Sequence, residues 1–232
     1  MILGGIQKNS FIDYPGKISC VLFASGCNFA CPYCHNPGLV RWKPAQKGKT
    51  EADVMDFLYK RREFLDGVVV SGGEPTLAPG LLPFCEKIKE MGYTLKLDTN
   101  GSRPRVLDLL IREGLVDYIA MDIKTLPELY GNFIKKNFDE RRLFASIQLI
   151  MESAKNYEFR TTCVKPMVNT GIIEEISNLI KGARLYALQK FVPIDVLCPD
   201  FFNDSGAGYN EDDLFHFKSI AGQSVDRCIV RS

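Results

Sequence analysis

Short apolar segments alternate with longer amphipathic segments along most of the chain. The short segments are typical of strands and lie at residues 18–24, 67–71, 94–98, 117–123, 157–164 and 184–192. The longer segments have apolar residues at helical spacing and lie at residues 51–65, 79–91, 104–114, 138–153 and 172–181. Strands that alternate with helices predict an α/β fold with a parallel sheet and right-handed crossovers. Residues 200–210 are typical of a loop, and we expect a final helix and strand after them.

Polar motifs follow four successive predicted strands. A cysteine-containing loop, GCNFACPYCHNP, follows the first strand, and SGGEPT follows the second. The third strand ends with DTNG and the fourth with MDIK. Because the sites of parallel α/β folds assemble at the carboxyl ends of strands, we expect these motifs to meet in one functional site.

Three cysteines of the first motif, Cys27, Cys31 and Cys34, have the spacing C-x3-C-x2-C. Three thiolates so close in sequence can bind one soft metal centre. A four-iron, four-sulfur cluster needs four ligands, so this loop would leave one iron open, as in catalytic metal sites. A structural zinc site is the alternative, although no second CxxC pair is present and His35 diverges from the adjacent Cys34. The loop alone favours the open cluster over zinc.

Composition limits the classes of function. With 232 residues, 46% of them apolar, the chain can bury the core of one large α/β domain. A formal net charge of +1 does not indicate nucleic acid or a membrane as a partner. No segment is long enough to cross a bilayer, and the first residues lack the pattern of a signal peptide. We therefore expect a cytoplasmic protein whose eight cysteines are not joined in disulfides.

The five cysteines outside the loop are interpreted as structural. Cys85 falls on the apolar side of a predicted helix, and Cys20 and Cys163 lie in strand-like segments. A buried free cysteine behaves as a small hydrophobic residue. The roles of Cys198 and Cys228 are left open.

The other strand-end motifs carry groups that suit a zwitterionic ligand. Gly72 and Gly73 present a backbone that a ligand can approach closely. Lys124 places an ammonium where a carboxylate could bind, and Asp98 and Asp122 could hold a cation or simply cap turns. An amino acid that chelates an open iron would use these groups together, and S-adenosylmethionine (SAM) carries such a head group. Each feature alone also occurs in ordinary turns and on ordinary surfaces.

With these motifs the chain resembles the radical SAM enzymes, and within them the glycyl-radical-enzyme activases. It is most similar to the anaerobic ribonucleoside-triphosphate reductase activating proteins. The similarity runs from FIDYPGK at 11–17, through the four strand-end motifs, to FRTT at 159–162. It implies an incomplete (β/α)6 barrel with parallel strands, open on one side. It also implies a single radical SAM domain over residues 1–232, with a core at about 17–193 and a C-terminal extension at about 194–232.

The resemblance assigns ligands for the cofactors. Cys27, Cys31 and Cys34 would bind one [4Fe–4S] cluster. The residues expected to surround SAM are Tyr33, His35, Asn36, Gly72, Gly73, Glu74, Asp98, Asp122, Lys124 and Arg160.

The resemblance also divides this set by the part of SAM that each residue would meet. The positions against the adenosyl group correspond to Tyr33, His35 and Asn36. The positions near the methionyl amine correspond to residues 72–74. Lys124 corresponds to a lysine at the methionyl carboxylate. Asp98 and Asp122 match acids that bind a monovalent cation in pyruvate formate-lyase activases, which adds such a cation to the expected cofactors.

The implied reaction begins with one electron from a flavodoxin or ferredoxin. Reductive cleavage of SAM would then give methionine and a 5′-deoxyadenosyl radical. That radical would take a hydrogen atom from a glycine of a partner glycyl radical enzyme. Because the cofactors supply this chemistry, no side chain is assigned as a catalytic acid or base.

Two features of the sequence differ from related activases. Pyruvate formate-lyase activases have a histidine after the sixth strand, where this chain has Gln189 and Lys190. Too few residues separate Pro37 from Gly72 for a ferredoxin-like insert, so a single cluster is expected. The alternatives are activation of pyruvate formate-lyase or another glycyl radical enzyme, and a small-molecule reaction such as that of 7-carboxy-7-deazaguanine synthase. A non-catalytic metal-binding module is a further alternative.

Overall fold

A computed structural model describes residues 1–42, 48–202 and 206–231, without the side chain of Phe133. The strands are β1 (Leu3–Ser10), β2 (Ser19–Ala24), β3 (Gly67–Gly72), β4 (Thr94–Thr99), β5 (Tyr118–Asp122), β6 (Tyr157–Cys163), β7 (Tyr186–Lys190) and β8 (Cys228–Arg231). The α-helices are α1 (Pro37–Val40), α2 (Glu51–Arg61), α3 (Leu81–Glu90), α4 (Pro104–Arg112), α5 (Tyr130–Phe133), α6 (Arg141–Ser153), α7 (Thr170–Leu179) and α8 (Glu211–Ala221). Short 3-10 helices lie at Pro75–Leu77, Pro127–Leu129 and Pro199–Phe202.

The strands form one sheet in the order β1 to β8, so β1 and β8 are its two edges. The six predicted strands are β2 to β7, and each is parallel to the next. This confirms the predicted α/β fold, an incomplete barrel of parallel strands that is open on one side. The expected final helix and strand are α8 and β8, and β8 adds a further parallel strand to the same sheet.

Two elements differ from the sequence-based expectations. Strand β1 pairs antiparallel with β2 and was not predicted, because two adjacent glycines and a polar second half conceal its alternation. The segment at 200–210 begins inside the 3-10 helix at 199–202 rather than in a loop. Among the described residues, no helix combines the length and apolar character needed to cross a bilayer.

Helices cover the outer face of the sheet and form the main apolar core with it. Helix α2 begins with a capping box, in which the Thr50 hydroxyl accepts from the backbone NH of Asp53 and the Asp53 carboxylate accepts from that of Thr50. Such a box satisfies two backbone donors that the helix leaves unpaired. Cys20, Cys85 and Cys163 are fully buried, in agreement with their interpretation as structural residues.

The inner face of the sheet is polar towards the carboxyl ends of the strands. In β4, Leu95 and Leu97 belong to the apolar core, and the alternating geometry of a strand turns Lys96 and Asp98 to the opposite face. Both of these charged residues lie inside the curve of the sheet, where Asp98 meets Arg160 of β6 across the intervening β5. The barrel therefore directs charged side chains towards its carboxyl end, where the sequence predicts the site.

Candidate active site

The cysteine loop leaves the carboxyl end of β2 and is anchored on both sides of its first turn. The backbone NH of Gly73 donates to Ala24 O (2.9 Å), and that of Glu74 donates to Gly26 O (2.9 Å). The NH of Gly26 in turn donates to Leu39 O (3.0 Å). The loop therefore starts in a position fixed by the SGGEPT motif at the end of the neighbouring β3.

An apolar anchor holds the middle of the loop against the barrel. Phe29 is 2% exposed and meets the rings of Tyr130 and Phe138 edge-on, with centroids 5.6 and 5.1 Å away. The NH of the next residue, Ala30, donates to Ile134 O (3.2 Å). Edge-to-face aromatic contacts of this kind add about 0.5–1.5 kcal/mol to the burial of the rings.

The outer side of the loop is held by a segment from the far end of the chain. The NH of Leu197 donates to Cys34 O, and the NH of Cys198 donates to Pro32 O, both at 3.0 Å. The Arg41 guanidinium donates to Leu197 O at 2.9 Å. The side chain of Cys198 is exposed, and Cys198 is not among the residues that line the cavity described below.

The three cysteines of the loop line a single cavity of about 310 Å³ at the carboxyl end of the barrel. The predicted site residues on its wall are Cys27, Cys31, Tyr33, Cys34, His35, Asn36, Gly72, Gly73, Asp98, Asp122, Lys124 and Arg160. The structure thus brings together every site residue predicted from the sequence except Glu74. The volume of the cavity falls within the range of about 300–1,000 Å³ that is usual for small-ligand sites.

The environment of the thiols fits a metal cluster. Burial raises the pKa of Cys27, and it raises that of Cys31 to about 12; a bound metal would take both as thiolates. The NH of Phe29 points at Cys27 Sγ and the NH of Asn36 at Cys34 Sγ, each at 3.4 Å. Amide donors at sulfur tune an iron–sulfur cluster, so the donor set suits the group that the sequence predicts.

The arrangement of possible ligands also bears on the choice between a cluster and a single metal ion. No group of three His, Cys, Asp or Glu side chains within the described ranges is arranged to hold one metal ion. One tetrahedral zinc ion draws its sulfurs to about 2.3 Å from the metal, whereas a four-iron cluster takes each thiolate at a separate corner. The three cysteines that line this cavity would each bind a separate iron of such a cluster.

Glu74 lies behind the cavity wall, where its carboxylate has a complete set of donors. It is 1% exposed and accepts from the Thr76 NH and hydroxyl at 3.1 and 2.5 Å. It also accepts from the Thr99 hydroxyl at 2.9 Å and the Asn100 NH at 2.6 Å. Burial raises the pKa of this carboxyl, while its donors oppose that change. The side chain joins the ends of β3 and β4, and its nearness to a methionyl amine stays a prediction.

The two glycines before Glu74 allow close contact between backbones. A Cβ at Gly72 would lie 2.5 Å from the backbone N of Ala24, and one at Gly73 would lie 2.0 Å from the carbonyl O of Gly26. Gly72 also has φ +113°, which favours glycine. Their lack of side chains therefore lets the cysteine loop pack on β3, in addition to leaving their backbone on the cavity wall.

Four charged side chains on the cavity wall form one network. Arg160 Nε donates to Asp122 Oδ1 (2.7 Å), and Arg160 Nη1 lies 3.4 Å from Asp98 Oδ1. Lys124 Nζ lies 3.3 Å from Asp122 Oδ2. Burial alone would raise the pKa of Asp122, but Arg160 and Lys124 lower it to about 2. Burial likewise opposes the charge of Lys124, yet its neighbours, Tyr33 first and then Asp122, raise its pKa above the ordinary value.

Tyr33 and His35 of the cysteine loop give the cavity an aromatic wall. The His35 ring stacks on Phe191 with an interplanar angle of 2° and a centroid distance of 5.7 Å. His35 Nε2 lies 2.8 Å from Val192 O, which fixes the ring by a hydrogen bond. Tyr33 meets the same Phe191 edge-on at 6.3 Å. Flat apolar surfaces of this kind suit an adenine ring.

Several cavity residues were not assigned from the sequence. They are Phe29, Val40, Ser71, Thr99, Asn100, Thr162, Gln189 and Lys190. Gln189 and Lys190 lie at the carboxyl end of β7, so the rule that pointed to the first four strand ends would have found them. Lys96 was also missed: its ammonium is paired with Asp98 just below the cavity.

The class of protein follows from this architecture and from the sequence. The model of the radical SAM superfamily matches residues 21–180 of the chain. The structure of SuiB from Streptococcus suis bound to S-adenosylmethionine superposes with a TM-score of 0.67 at 12% identity, covering 91% of this chain and 52% of that chain. The chain belongs to the radical SAM superfamily, whose members use a [4Fe–4S] cluster and SAM, and it is a radical SAM enzyme.

Within that superfamily the chain falls among the glycyl-radical-enzyme activating enzymes. A Methanocaldococcus jannaschii protein that carries this name provisionally is 36% identical over 239 residues, covering 100% of this chain and 96% of its own length. The pyruvate formate-lyase-activating enzyme of Listeria monocytogenes is 36% identical over 144 residues, 57% of each chain. The chain thus spans just over half the length of that enzyme and of SuiB.

Proposed function

We propose that this protein activates a glycyl radical enzyme by reductive cleavage of SAM and removal of a hydrogen atom from a glycine of the partner. The observation that carries the proposal is one cavity that is lined by three cysteines of a single loop together with Lys124 and Arg160. The cysteines supply three cluster ligands, and the two cations suit the carboxylate of a ligand that completes the fourth iron. The full-length similarity to a protein named for such activation supports the choice of reaction.

Each part of the cavity then has a role. Cys27, Cys31 and Cys34 would hold the cluster. Lys124 would bind the methionyl carboxylate, since it lines the cavity and its ion pair with Asp122 is long, at 3.3 Å. The backbone of residues 72–73 would receive the methionyl amine. The aromatic wall that includes Tyr33 and His35 would contact the adenosyl group.

When bound, the cluster and SAM supply a 5′-deoxyadenosyl radical that takes a hydrogen atom from the substrate. The residues of this chain position the groups and keep water out, because a primary carbon radical reacts with whatever lies nearest. The sheet does not close between its edge strands β1 and β8, and a glycine-bearing loop of a partner would enter from this side. A closing movement around that loop would complete the site.

We infer that the partner is an anaerobic ribonucleoside-triphosphate reductase. The motif series from FIDYPGK to FRTT supports this choice, as does the absence of the histidine expected of formate-lyase activases. The position of that difference matters, because Gln189 and Lys190 line the cavity itself. We infer a flavodoxin or ferredoxin as electron donor and the cytoplasm as the location, where free thiols and low-potential donors occur together.

Pyruvate formate-lyase is the second candidate partner. The similarity to the Listeria monocytogenes activating enzyme favours it, although that similarity covers only 57% of this chain. Both candidates need the same cavity and the same cofactors, so only the identity of the radical-bearing polypeptide separates them.

The first experiment tests SAM cleavage. The protein is reconstituted without oxygen with iron and sulfide, and 5′-deoxyadenosine is measured after addition of SAM and dithionite. We expect Cys31→Ala to abolish the product and Cys198→Ala, the matched control on an exposed cysteine beside the same loop, to retain it. Normal product formation by Cys31→Ala would contradict the cluster assignment, and loss of product in Cys198→Ala would indicate a fourth thiolate.

The second experiment identifies the partner. The reconstituted protein is mixed with SAM, a reductant and each candidate glycyl radical enzyme in turn. The amount of glycyl radical per chain is then quantified by electron paramagnetic resonance. We expect a persistent radical on the anaerobic reductase. A radical on pyruvate formate-lyase alone would identify the second candidate, and conversion of a pterin-like small molecule with no radical on either enzyme would contradict the activase proposal.

A further inference from the structure

A buried lysine lies next to the acids that the sequence resemblance assigns to a monovalent cation. Lys96 is 1% exposed, and its ammonium forms an ion pair with Asp98 Oδ1 inside the barrel. The same ammonium lies 5.9 Å from the centre of the Tyr118 ring, where the face of the ring adds a favourable cation–π contact. A lysine is retained in such a position only when its charge is matched.

Both acids are already satisfied by groups of this chain. Asp98 Oδ1 faces Lys96 and Arg160, and Asp98 Oδ2 accepts from the Ser71 hydroxyl at 2.9 Å. Asp122 Oδ1 accepts from Arg160, and its Oδ2 faces Lys124. All four carboxylate oxygens therefore have a donor before any metal ion is considered.

The charge of the network also opposes an added cation. In the absence of SAM, two carboxylates face the three cations Lys96, Lys124 and Arg160, which leaves one positive charge in excess. A metal ion at Asp98 would raise that excess within a few ångströms of the Arg160 guanidinium, where the interior screens charge weakly. The residues present thus do not fit the monovalent cation that the resemblance implies.

We propose that the Lys96 ammonium takes the place of the monovalent cation beside Asp98, so that SAM binding by this protein is independent of Na⁺ and K⁺. Lysine reaches this position because Lys96 and Asp98 alternate on the same inner face of β4. The covalently attached charge neutralises Asp98, while the hydrogen bond from Arg160 Nε to Asp122 Oδ1 orients the guanidinium. The proposal rests on the proposed function only in its use of SAM binding as a readout.

The wild-type protein provides the first test. The reconstituted enzyme is titrated with SAM in KCl, in NaCl and in N-methyl-D-glucamine chloride, whose organic cation is too large for the site. The shift in the electron paramagnetic resonance spectrum of the reduced cluster reports binding. Because ionic strength and therefore screening are equal, we expect the three dissociation constants to agree within about twofold. A requirement for K⁺ or Na⁺ would overturn the proposal.

A variant without the ammonium provides the second test. Lys96→Met keeps most of the side-chain length, and we expect it to bind SAM about tenfold more weakly in N-methyl-D-glucamine, with recovery in KCl or NaCl. The matched control is Lys60→Met, which removes an exposed ammonium from α2 and should behave as the wild type. Equal binding by Lys96→Met in all three salts would overturn the proposal.

Direct ion binding decides the question without SAM. Thallium-205 resonance should show no saturable Tl⁺ site in the wild type and a new site in Lys96→Met. A saturable Tl⁺ site in the wild type that K⁺ displaces would overturn the proposal, even if the variant fails to fold. Failure to bind SAM in every salt would contradict the proposed function, while the Tl⁺ measurement would still decide this inference.

Discussion

The contact between Gly73 and the first turn of the cysteine loop allows a sharp prediction. In Gly73→Ala the new methyl carbon would lie 2.0 Å from the carbonyl oxygen of Gly26 and 2.6 Å from its carbonyl carbon. Close carbon–oxygen contacts in proteins are about 3.3 Å or longer, so one partner has to move by roughly 1.3 Å. Both partners are backbone, and Gly26 directly precedes the cluster ligand Cys27. The displacement therefore falls on a ligand.

Two consequences of this displacement can be estimated. Overpacking of this kind costs about 1–3 kcal/mol, which corresponds to a loss of about 2–12 °C in melting temperature for a domain of this size. A reacting group misplaced by about 1 Å can lose about 100-fold in rate. We therefore expect Gly73→Ala to lose far more of its SAM cleavage than its small loss of stability would explain.

The assay compares iron per chain, 5′-deoxyadenosine formed and melting temperature in two variants. Gly38→Ala is the control, because it lies in α1 directly after the loop and its added methyl meets nothing within 4 Å. We expect Gly38→Ala to match the wild type in all three measurements. If Gly73→Ala also binds iron and cleaves SAM at the wild-type rate, the first turn does not position the cluster and the reasoning is refuted.

Three further predictions concern the charged groups. Lys124→Met should raise the dissociation constant of SAM by roughly 10- to 100-fold with iron content unchanged, since it removes one charge-assisted contact; an unchanged constant in a titration would contradict its role. Arg231→Met should lower the free energy of unfolding in urea by about 2 kcal/mol, because the fully buried Glu158 loses its bidentate partner; a loss of less than about 0.5 kcal/mol would contradict this. Because the pKa of Asp122 is lowered to about 2, its ionised form stabilises the fold above about pH 4, and this contribution is lost as the pH falls towards 2. In Asp122→Asn the free energy of unfolding in urea should therefore fall less than in the wild type between about pH 4 and about pH 2. An identical pH dependence in the two proteins would refute this role of Asp122.

The sequence was most informative where two patterns coincided. The strand-like segments that became β2 to β7 were recognised by their apolar character, and the motifs at their carboxyl ends were recognised by their polarity. Because parallel strands end at the same edge of a sheet, a motif that directly follows a predicted strand is expected at that edge. That rule placed the cysteine loop, Gly72, Asp98, Asp122 and Lys124 around one cavity without any further knowledge.

Other features depended on tertiary structure that a linear pattern does not carry. Lys96 appears as an ordinary surface lysine in a half-buried strand, and only the curvature of the sheet reveals that its face is enclosed. Glu74 belongs to a motif at the predicted site, yet only the fold shows that Thr76, Thr99 and Asn100 take up its carboxylate. Strand β1 was missed because its only partner is β2 and its own alternation is weak.

The pairing of residues 197–198 with the cysteine loop has a consequence for biogenesis. The loop is synthesised well before residues 197–198, so the carbonyls of Pro32 and Cys34 receive their partners only when Leu197 and Cys198 have followed. Residues 197–198 must therefore emerge before these backbone contacts of the cysteine loop are complete. We therefore expect delivery of iron and sulfide to follow synthesis of this segment, and a chain truncated before it should retain less iron after reconstitution.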